Sequence, residues 1–263
     1  MHDFKYLRAS SVADATTKYR GTEDGRYLAG GMTLLPVLKM RLDQPTALVD
    51  LGRLEELRGI TEEDGLLVIK AMTTHRYVAT SALVQGRIPA LAQLAGSIGD
   101  PLVRNRGTIG GSLANNDPSA DYPAAVLGLG ATIHTDRRTI AADSYFKGMF
   151  ETALDDGELI TKVAFPIPTQ AAYARFPNPA SRYPLVGAFV AVTDTGPRVA
   201  ITGAASCVFR IAEMEEALRA HFSPEVLKAI TVAEDDLNSD IHASPEYRAH
   251  LIKVMVRRAI QNF

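Results

Sequence analysis

The stretch "VRNRGTIGGSLANNDPSADYP", Val103 to Pro123, holds two arginines, three glycines, three asparagines and two aspartates in twenty-one residues. A second glycine pair lies in "YLAGGMTLLP", Tyr27 to Pro36. Glycine reaches positive φ without strain and lets another group approach the backbone closely. Successive N–H groups in such a turn converge on an anion, and a following helix adds its own free N–H groups. "AGGMT" has the form of a strand, Gly30–Gly31, the Thr33 hydroxyl and then a helix; "TIGGS" repeats it, with Thr108 and Ser112 around Gly110–Gly111. Two nests with hydroxyls suit a pyrophosphate, and a carboxylate such as Asp121, a little past Gly111, is suited to accept from ribose hydroxyls. Pattern alone leaves a plainer reading open, because a glycine pair is also the ordinary mark of a turn. Neither segment fits G-x-G-x-x-G, and no G-x-x-x-x-G-K-[ST] occurs, so the Rossmann fingerprint and the P-loop are both excluded.

The chain around these segments is that of an ordinary globular protein. It has 263 residues, 46% apolar and 22% charged, enough for one large domain or two modest ones. The net charge of −2 gives no electrostatic case for nucleic acid or an anionic membrane. The single cysteine, Cys207, excludes an internal disulfide framework, a cysteine-ligated zinc site and a chain-borne iron–sulfur cluster. No apolar run is long enough to span a membrane. The start "MHDFKYLRAS" lacks the basic and apolar regions of a secretory signal, so a cytoplasmic protein is expected.

Periodicity and capping residues predict the elements. "SSVADATTKYR" is an amphipathic helix capped by Ser10 or Ser11, "RYLAGG" a strand running into glycines, and "MTLLPVLKMRL" a helix with Pro36 near its first turn. "TALVDLG" and "GLLVIKAM" are strands, "TTHRYVATSALVQG" one helix ending at Gly86, and "IPALAQLAGSIG" another. "DYPAAVLGLGATIHT" is a helix or apolar turn leading into a strand, and "ELITKVAFPIP" is a strand stopped by its prolines. The Ala- and Pro-rich run "TQAAYARFPNPASRYP" marks a domain boundary near residue 168. Beyond it, "LVGAFVAVTD" and "RVAITGAAS" are strands of a hairpin turned by "TGP". "IAEMEEALRAHF", "SPEVLKAITVAEDD" and "SPEYRAHLIKVMVRRAI" are helices, the last two with Ser223 and Ser244 as caps and proline at the first helical position. Strands and helices mix without βαβ alternation, which favours an α+β fold.

The remaining chemistry-bearing residues carry plain readings. His75 follows two threonines at a helix start and reads as part of a cap rather than a ligand. Six histidines show no metal-ligand spacing. Arg104 and Arg106 stand before the second glycine pair, where they either neutralise an anion or brace the loop. Asn115, Asn116 and Asp117 shape the turn after it through side-chain bonds to the backbone.

"AGGMTLLPVLK" together with "IGDPLVRNRGTIGGSLANNDPSADYPAAVLGLGA" strongly resembles the FAD-binding subunit of the molybdenum hydroxylases, the family of carbon monoxide dehydrogenase medium subunits and separate xanthine dehydrogenase FAD subunits. The resemblance extends over nearly the whole chain, through "ETALDDGELITKVAFP", "RFPNPASRYPLVGAFVAV" and the final helix. It implies the vanillyl-alcohol-oxidase-type (PCMH) FAD-binding fold: subdomains of about 1–54 and 55–168 in an FAD domain, then a small α+β domain over 169–263. It implies that Ala29, Gly30, Gly31, Met32 and Thr33, with Thr108, Ile109, Gly110, Gly111 and Ser112, wrap the FAD pyrophosphate, and that Asp121 lies near the ribose. Leu159 or Ile160 is implied at the ring pocket, Tyr183 at the isoalloxazine face and Arg175 near the flavin. The family often has Lys at the place of Arg175 and Ala at that of Pro184, so the local geometry there departs from the pattern.

The same resemblance implies partners. A large subunit holds the molybdopterin cofactor and a small one holds two 2Fe–2S clusters, the whole forming a dimer of heterotrimers. Electrons then pass from those clusters to FAD on this chain and on to an external acceptor. One branch of the family adds a 4Fe–4S cluster to the flavin subunit, which a single cysteine excludes here. Two other functions stay open at this level: a self-contained FAD-dependent oxidoreductase of the same superfamily, and a scaffold subunit without flavin. The first needs an acid–base pair and room for a cap domain, neither of which the sequence offers; the second is at odds with two intact glycine segments.

Overall fold

The computed structural model describes residues 1–263. Three sheets organise it, and a separate two-stranded ribbon is held to Asn116 by hydrogen bonds. The first sheet is parallel, in the order Lys5–Arg8, Ala47–Asp50, Gly25–Leu28. Its central strand, Ala-Leu-Val-Asp, buries its first three residues, as a strand flanked on both sides must. The helix Val12–Arg20 connects two of these strands and starts on Ser11, whose hydroxyl accepts from the Asp14 N–H. The sequence expectation missed the strand Lys5–Arg8. Four mostly exposed residues carry no pattern of their own, and pairing with Ala47–Asp50 makes them a strand.

The second sheet is antiparallel throughout, in the order Ile60–Glu63, Leu66–Lys70, Ile160–Pro166, Thr132–Thr135, Thr139–Ala141. Between its second strand and Thr132 the chain makes a run of short helices: His75–Thr80, Ala82–Arg87, Pro89–Ser97, Pro101–Arg106, Ile109–Asn115 and Tyr122–Gly128. The single helix expected over "TTHRYVATSALVQG" is in fact two. Ser81 is extended at φ −68°, ψ 120°, and its hydroxyl caps the second helix by accepting from Val84 N–H. Likewise Pro101–Arg106, capped by the Asp100 carboxylate on Val103 N–H, occupies what reads as loop. The main apolar core lies under these helices and includes Leu91, Leu94, Ile109, Leu113 and Phe165.

The third sheet runs Gln170–Pro177, Pro184–Thr193, Gly196–Thr202, Phe209–Arg210, all antiparallel. Its second strand faces two cores at once. Alternation sends Val186, Ala188 and Val190 towards the final helix Pro245–Gln261, and Phe189 and Ala191 into the main core. Gly128, on the helix Tyr122–Gly128, lets that helix lie against Phe189: a Cβ there would stand 2.9 Å from the ring. Ser244 caps the final helix, accepting from Tyr247 N–H, with Pro245 at its first position.

Two expectations fail in this part. Gln170–Pro177, read as a boundary run, is an edge strand whose Ala-rich composition hides its pairing. The helix expected over "SPEVLKAITVAEDD" is only a 3-10 turn, Pro224–Ala229. The β-branched Ile230-Thr231-Val232 and the acidic run after it supply no apolar stripe to hold a longer helix.

Candidate functional site: one cavity between the glycine segments

A cavity of about 370 Å³ lies among the first sheet, the second sheet and the short helices. Ala29, Gly30, Gly31, Met32 and Thr33 line it from one side, and Thr108, Gly110, Gly111 and Ser112 from the other. The two segments touch. A Cβ on Gly30 would stand 2.1 Å from the Arg106 carbonyl oxygen, so only glycine allows this approach. Small contacts lock the surrounding halves together as well. Tyr19 stacks on Tyr27 at 4.7 Å between ring centroids. Their hydroxyls donate across to Asp156 Oδ1 and the Gly157 carbonyl at 2.8 and 3.1 Å.

The first segment is a true loop. Gly31 sits at φ +74° and sends the chain into the helix Leu34–Lys39. The backbone N–H groups of Gly30, Gly31, Met32 and Thr33 find no acceptor in the protein, and neither does the Thr33 hydroxyl. Consecutive free donors beside positive-φ glycine are what an anion nest requires.

The second segment is built differently. It forms the first turn of the helix Ile109–Asn115, with Thr108 as N-cap. Ile109 N–H donates to the Thr73 carbonyl, Gly110 N–H to Ala71, Gly111 N–H to the Thr108 hydroxyl and Ser112 N–H to the Thr108 carbonyl. The sequence pattern anticipates a second nest of free N–H groups; here the protein itself uses all four. Gly110 serves close packing instead, since a Cβ would stand 2.6 Å from Ala71 Cβ. Ile109 points into the main core and does not reach the cavity. What this segment offers a ligand is a bare backbone surface and the unpartnered Ser112 hydroxyl.

Asp121 also lines the cavity, at the start of the helix Tyr122–Gly128, and is 5% exposed. It accepts from the Tyr173 hydroxyl at 2.7 Å and pairs with Arg175 at 3.1 Å. Burial pushes its carboxyl up, and the Arg175 charge and the Tyr173 hydrogen bond oppose that push. Arg175 reaches the site only through Asp121. Leu159 and Ile160 line the cavity with Leu51, Leu57 and Met72, and half-exposed Tyr183 lines it from the turn between the first two strands of the third sheet, within reach of the Asp117 and Asp121 charges. Arg104 donates to the carbonyls of Ile98 and Gly99, so it braces the loop, while Arg106 is exposed.

His75, expected as part of a helix cap, is not the cap itself. Thr74 is the cap, its hydroxyl accepting from Tyr77 N–H, and His75 is buried in the cavity wall against Tyr122. Its Nδ1 has no partner. Burial, reinforced by the Arg104 charge, pushes its pKa down to about 4, so it is neutral near pH 7. The only sequence signal was one polar residue at a helix start, which a cap explains equally well. Asn115 and Asp117, expected only to shape the turn, line the cavity too.

Comparison with known proteins follows this geometry. Residues 2–168 match the model of the FAD binding domain in molybdopterin dehydrogenase, and residues 171–263 that of the CO dehydrogenase flavoprotein C-terminal domain. The chain belongs to this flavoprotein family. Among the family's members it is 35% identical to the carbon monoxide dehydrogenase medium chain of Afipia carboxidovorans, over 98% of this chain and 96% of that one. It is 34% identical to the nicotine 6-hydroxylase medium subunit of Paenarthrobacter nicotinovorans, over 97% and 95%. A crystal structure of Cu,Mo-CO dehydrogenase in its cyanide-inactivated form superposes with a TM-score of 0.89 at 32% identity, covering 99% of this chain and 98% of that one. The FAD-binding flavoprotein is therefore an oxidoreductase subunit, with the mixed α+β architecture that the resemblance implied. No helix in it is long and apolar enough to cross a membrane.

The cavity fits FAD on its own terms. A row of free N–H donors next to a glycine-only contact suits a pyrophosphate, and a buried acidic residue further along suits a sugar hydroxyl. Apolar lining residues, Leu159 and Ile160 among them, suit a flat aromatic ring.

Proposed function

We propose that this chain is the FAD-carrying electron-transfer subunit of a heterotrimeric molybdenum hydroxylase. It takes electrons from 2Fe–2S clusters on a small partner subunit, fed in turn by the molybdopterin cofactor of a large one, and passes them to an external acceptor. Two such trimers pair, in the cytoplasm. The observation that carries the reading is the contact of Gly30 with the Arg106 carbonyl, which brings two segments far apart in sequence onto one cavity with free N–H donors. The medium-chain and medium-subunit relatives, matched end to end, support the division of labour.

In this reading residues 1–54 and 55–168 are the two FAD subdomains and 169–263 the flanking domain. The N–H groups of Gly30 to Thr33, the Thr33 and Ser112 hydroxyls and the bare face of Gly110–Gly111 hold the pyrophosphate. Thr108 shapes that face as the cap. Asp121 accepts from a ribose hydroxyl, Ile160 packs on the ring and Tyr183 shields it from water. Bound FAD supplies the redox chemistry. The chain contributes binding, orientation and exclusion of water, and no side chain of it is assigned as an acid or base.

An absorption spectrum and mass analysis of the natively purified complex test this. Expected are one flavin per chain and two co-purifying subunits that carry iron and molybdenum. A colourless chain that cannot be reconstituted with FAD sinks the cofactor assignment. Hydroxylation of a substrate by this chain alone sinks the electron-transfer role.

A further inference from the structure

Asp121 enters the cavity wall from one domain, yet its carboxylate is fixed by the third sheet. The Tyr173 hydroxyl donates to Oδ1 at 2.7 Å. Arg175 Nη1 donates to Oδ1 at 3.1 Å and to Oδ2 at 3.3 Å, while its Nη2 donates to the Ser97 carbonyl. The backbone just before Asp121 is held by the same sheet. The Thr202 hydroxyl donates to the Ala120 and Pro118 carbonyls at 2.6 and 3.1 Å, and Gly203 N–H to Pro118 at 2.9 Å.

The sheet makes room for this arrangement. Gly187 lies beside Tyr173 on the neighbouring strand, and a Cβ there would stand 2.4 Å from the tyrosine oxygen. A carboxylate offers about four acceptor positions. Two donors from other residues reach Oδ1, and Arg175 alone reaches Oδ2, at the longer distance. Oδ2 is thus the less occupied oxygen of a side chain that lines the cavity.

We propose that Tyr173 is a positioning residue of the cofactor site: with Arg175 it fixes Asp121 so that Oδ2 accepts from a ribose hydroxyl of FAD. The C-terminal domain thereby sets the affinity of a site whose glycine segments all lie outside it. This rests on the FAD reading above.

The test is a double-mutant cycle, read as FAD dissociation constants by flavin fluorescence on the deflavinated full-length chain. Tyr173→Phe weakens binding roughly tenfold or more, the size of one hydrogen bond to a charged group, and Asp121→Asn at least as much. The double variant binds no more weakly than Asp121→Asn alone, because Tyr173 acts only through that carboxylate. Wild-type affinity in Tyr173→Phe overturns the proposal, and so do two losses that multiply, which a merely structural tyrosine would give. If Tyr173→Phe unfolds, Arg175→Lys takes its place in the cycle. It keeps the charge and loses the Ser97 contact, with a smaller loss that again vanishes over Asp121→Asn. A wild-type chain that takes up no FAD breaks the cofactor assignment itself, a different failure from a cycle without coupling.

Discussion

The two glycine segments share letters and differ in what their backbones do. Around Gly30–Gly31 the chain is a loop with consecutive N–H groups free. Around Gly110–Gly111 it is a helix start whose N–H groups all have acceptors, two of them carbonyls of the neighbouring segment Ala71–Thr73. The first segment therefore offers donors, while the second offers closeness. A binding surface needs both, since N–H groups reach an anion only if the opposite wall lets it come near.

This contrast can be broken at its strongest point first. Gly30→Ala drives a Cβ into the Arg106 carbonyl, which is backbone and cannot swing aside. We expect complete loss of FAD retention and about 3 kcal/mol of stability, the upper end for overpacking. Stoichiometric flavin absorbance in the purified variant would show that the segments do not need to touch. Gly110→Val comes next. Its Cβ would meet Ala71 Cβ and the Ala71 carbonyl at 2.6 and 2.9 Å, so the helix Ile109–Asn115 must shift. FAD retention should be lost while a separate calorimetric or proteolytic signature of the third sheet persists. Full flavin content would refute the part given to the second segment.

A smaller pair of changes sharpens the comparison. Thr108→Ala removes the cap and should lower the melting midpoint of the flavin-free chain by the equivalent of about 1 kcal/mol. Ser112→Ala should leave that midpoint alone and weaken FAD binding a few-fold, because its hydroxyl has no partner within the protein. If the two variants exchange these signatures, the division between structure and ligand within one motif is wrong.

A pH-dependent effect concerns His75, behind the second segment. Its pKa falls from an ordinary 6.5 to about 4 in the fold. Between those values the unfolded chain holds a proton that the folded one refuses, so stability drops as the pH falls from about 6.5 to about 4. A His75→Phe variant should show a shallower fall of its melting midpoint across that window. An unchanged slope would mean that His75 is not buried as the cavity wall has it.

Much of the architecture was legible in the residues. Ser244–Pro245 announced the final helix, "TALVDLG" the central parallel strand, and the hairpin around "TGP" the third sheet. Elements that depend on a partner were not. Lys5–Arg8 and Gln170–Pro177 have no decisive periodicity, and hydrogen bonds to neighbouring strands make them strands. The break at Ser81 is invisible in the periodicity because helical spacing runs through it, whereas the cap on Val84 favours an extended residue there.

The sequence by itself determined the α+β mixture and, through its resemblance to a known family, implied the pairing of two glycine segments on one cavity, because a long motif is recognisable without knowledge of contacts. The tertiary structure alone decided which N–H groups stay free. That depends on whose carbonyls come within reach, and Ala71 and Thr73, more than thirty residues upstream, are brought there by the second sheet. It also decided that Ile109 turns into the core, that His75 forms part of the wall, and that Asp121 is held by Tyr173 and Arg175 from another domain. Side-chain burial and hydrogen-bond satisfaction are properties of neighbours in space, and a linear motif does not contain them.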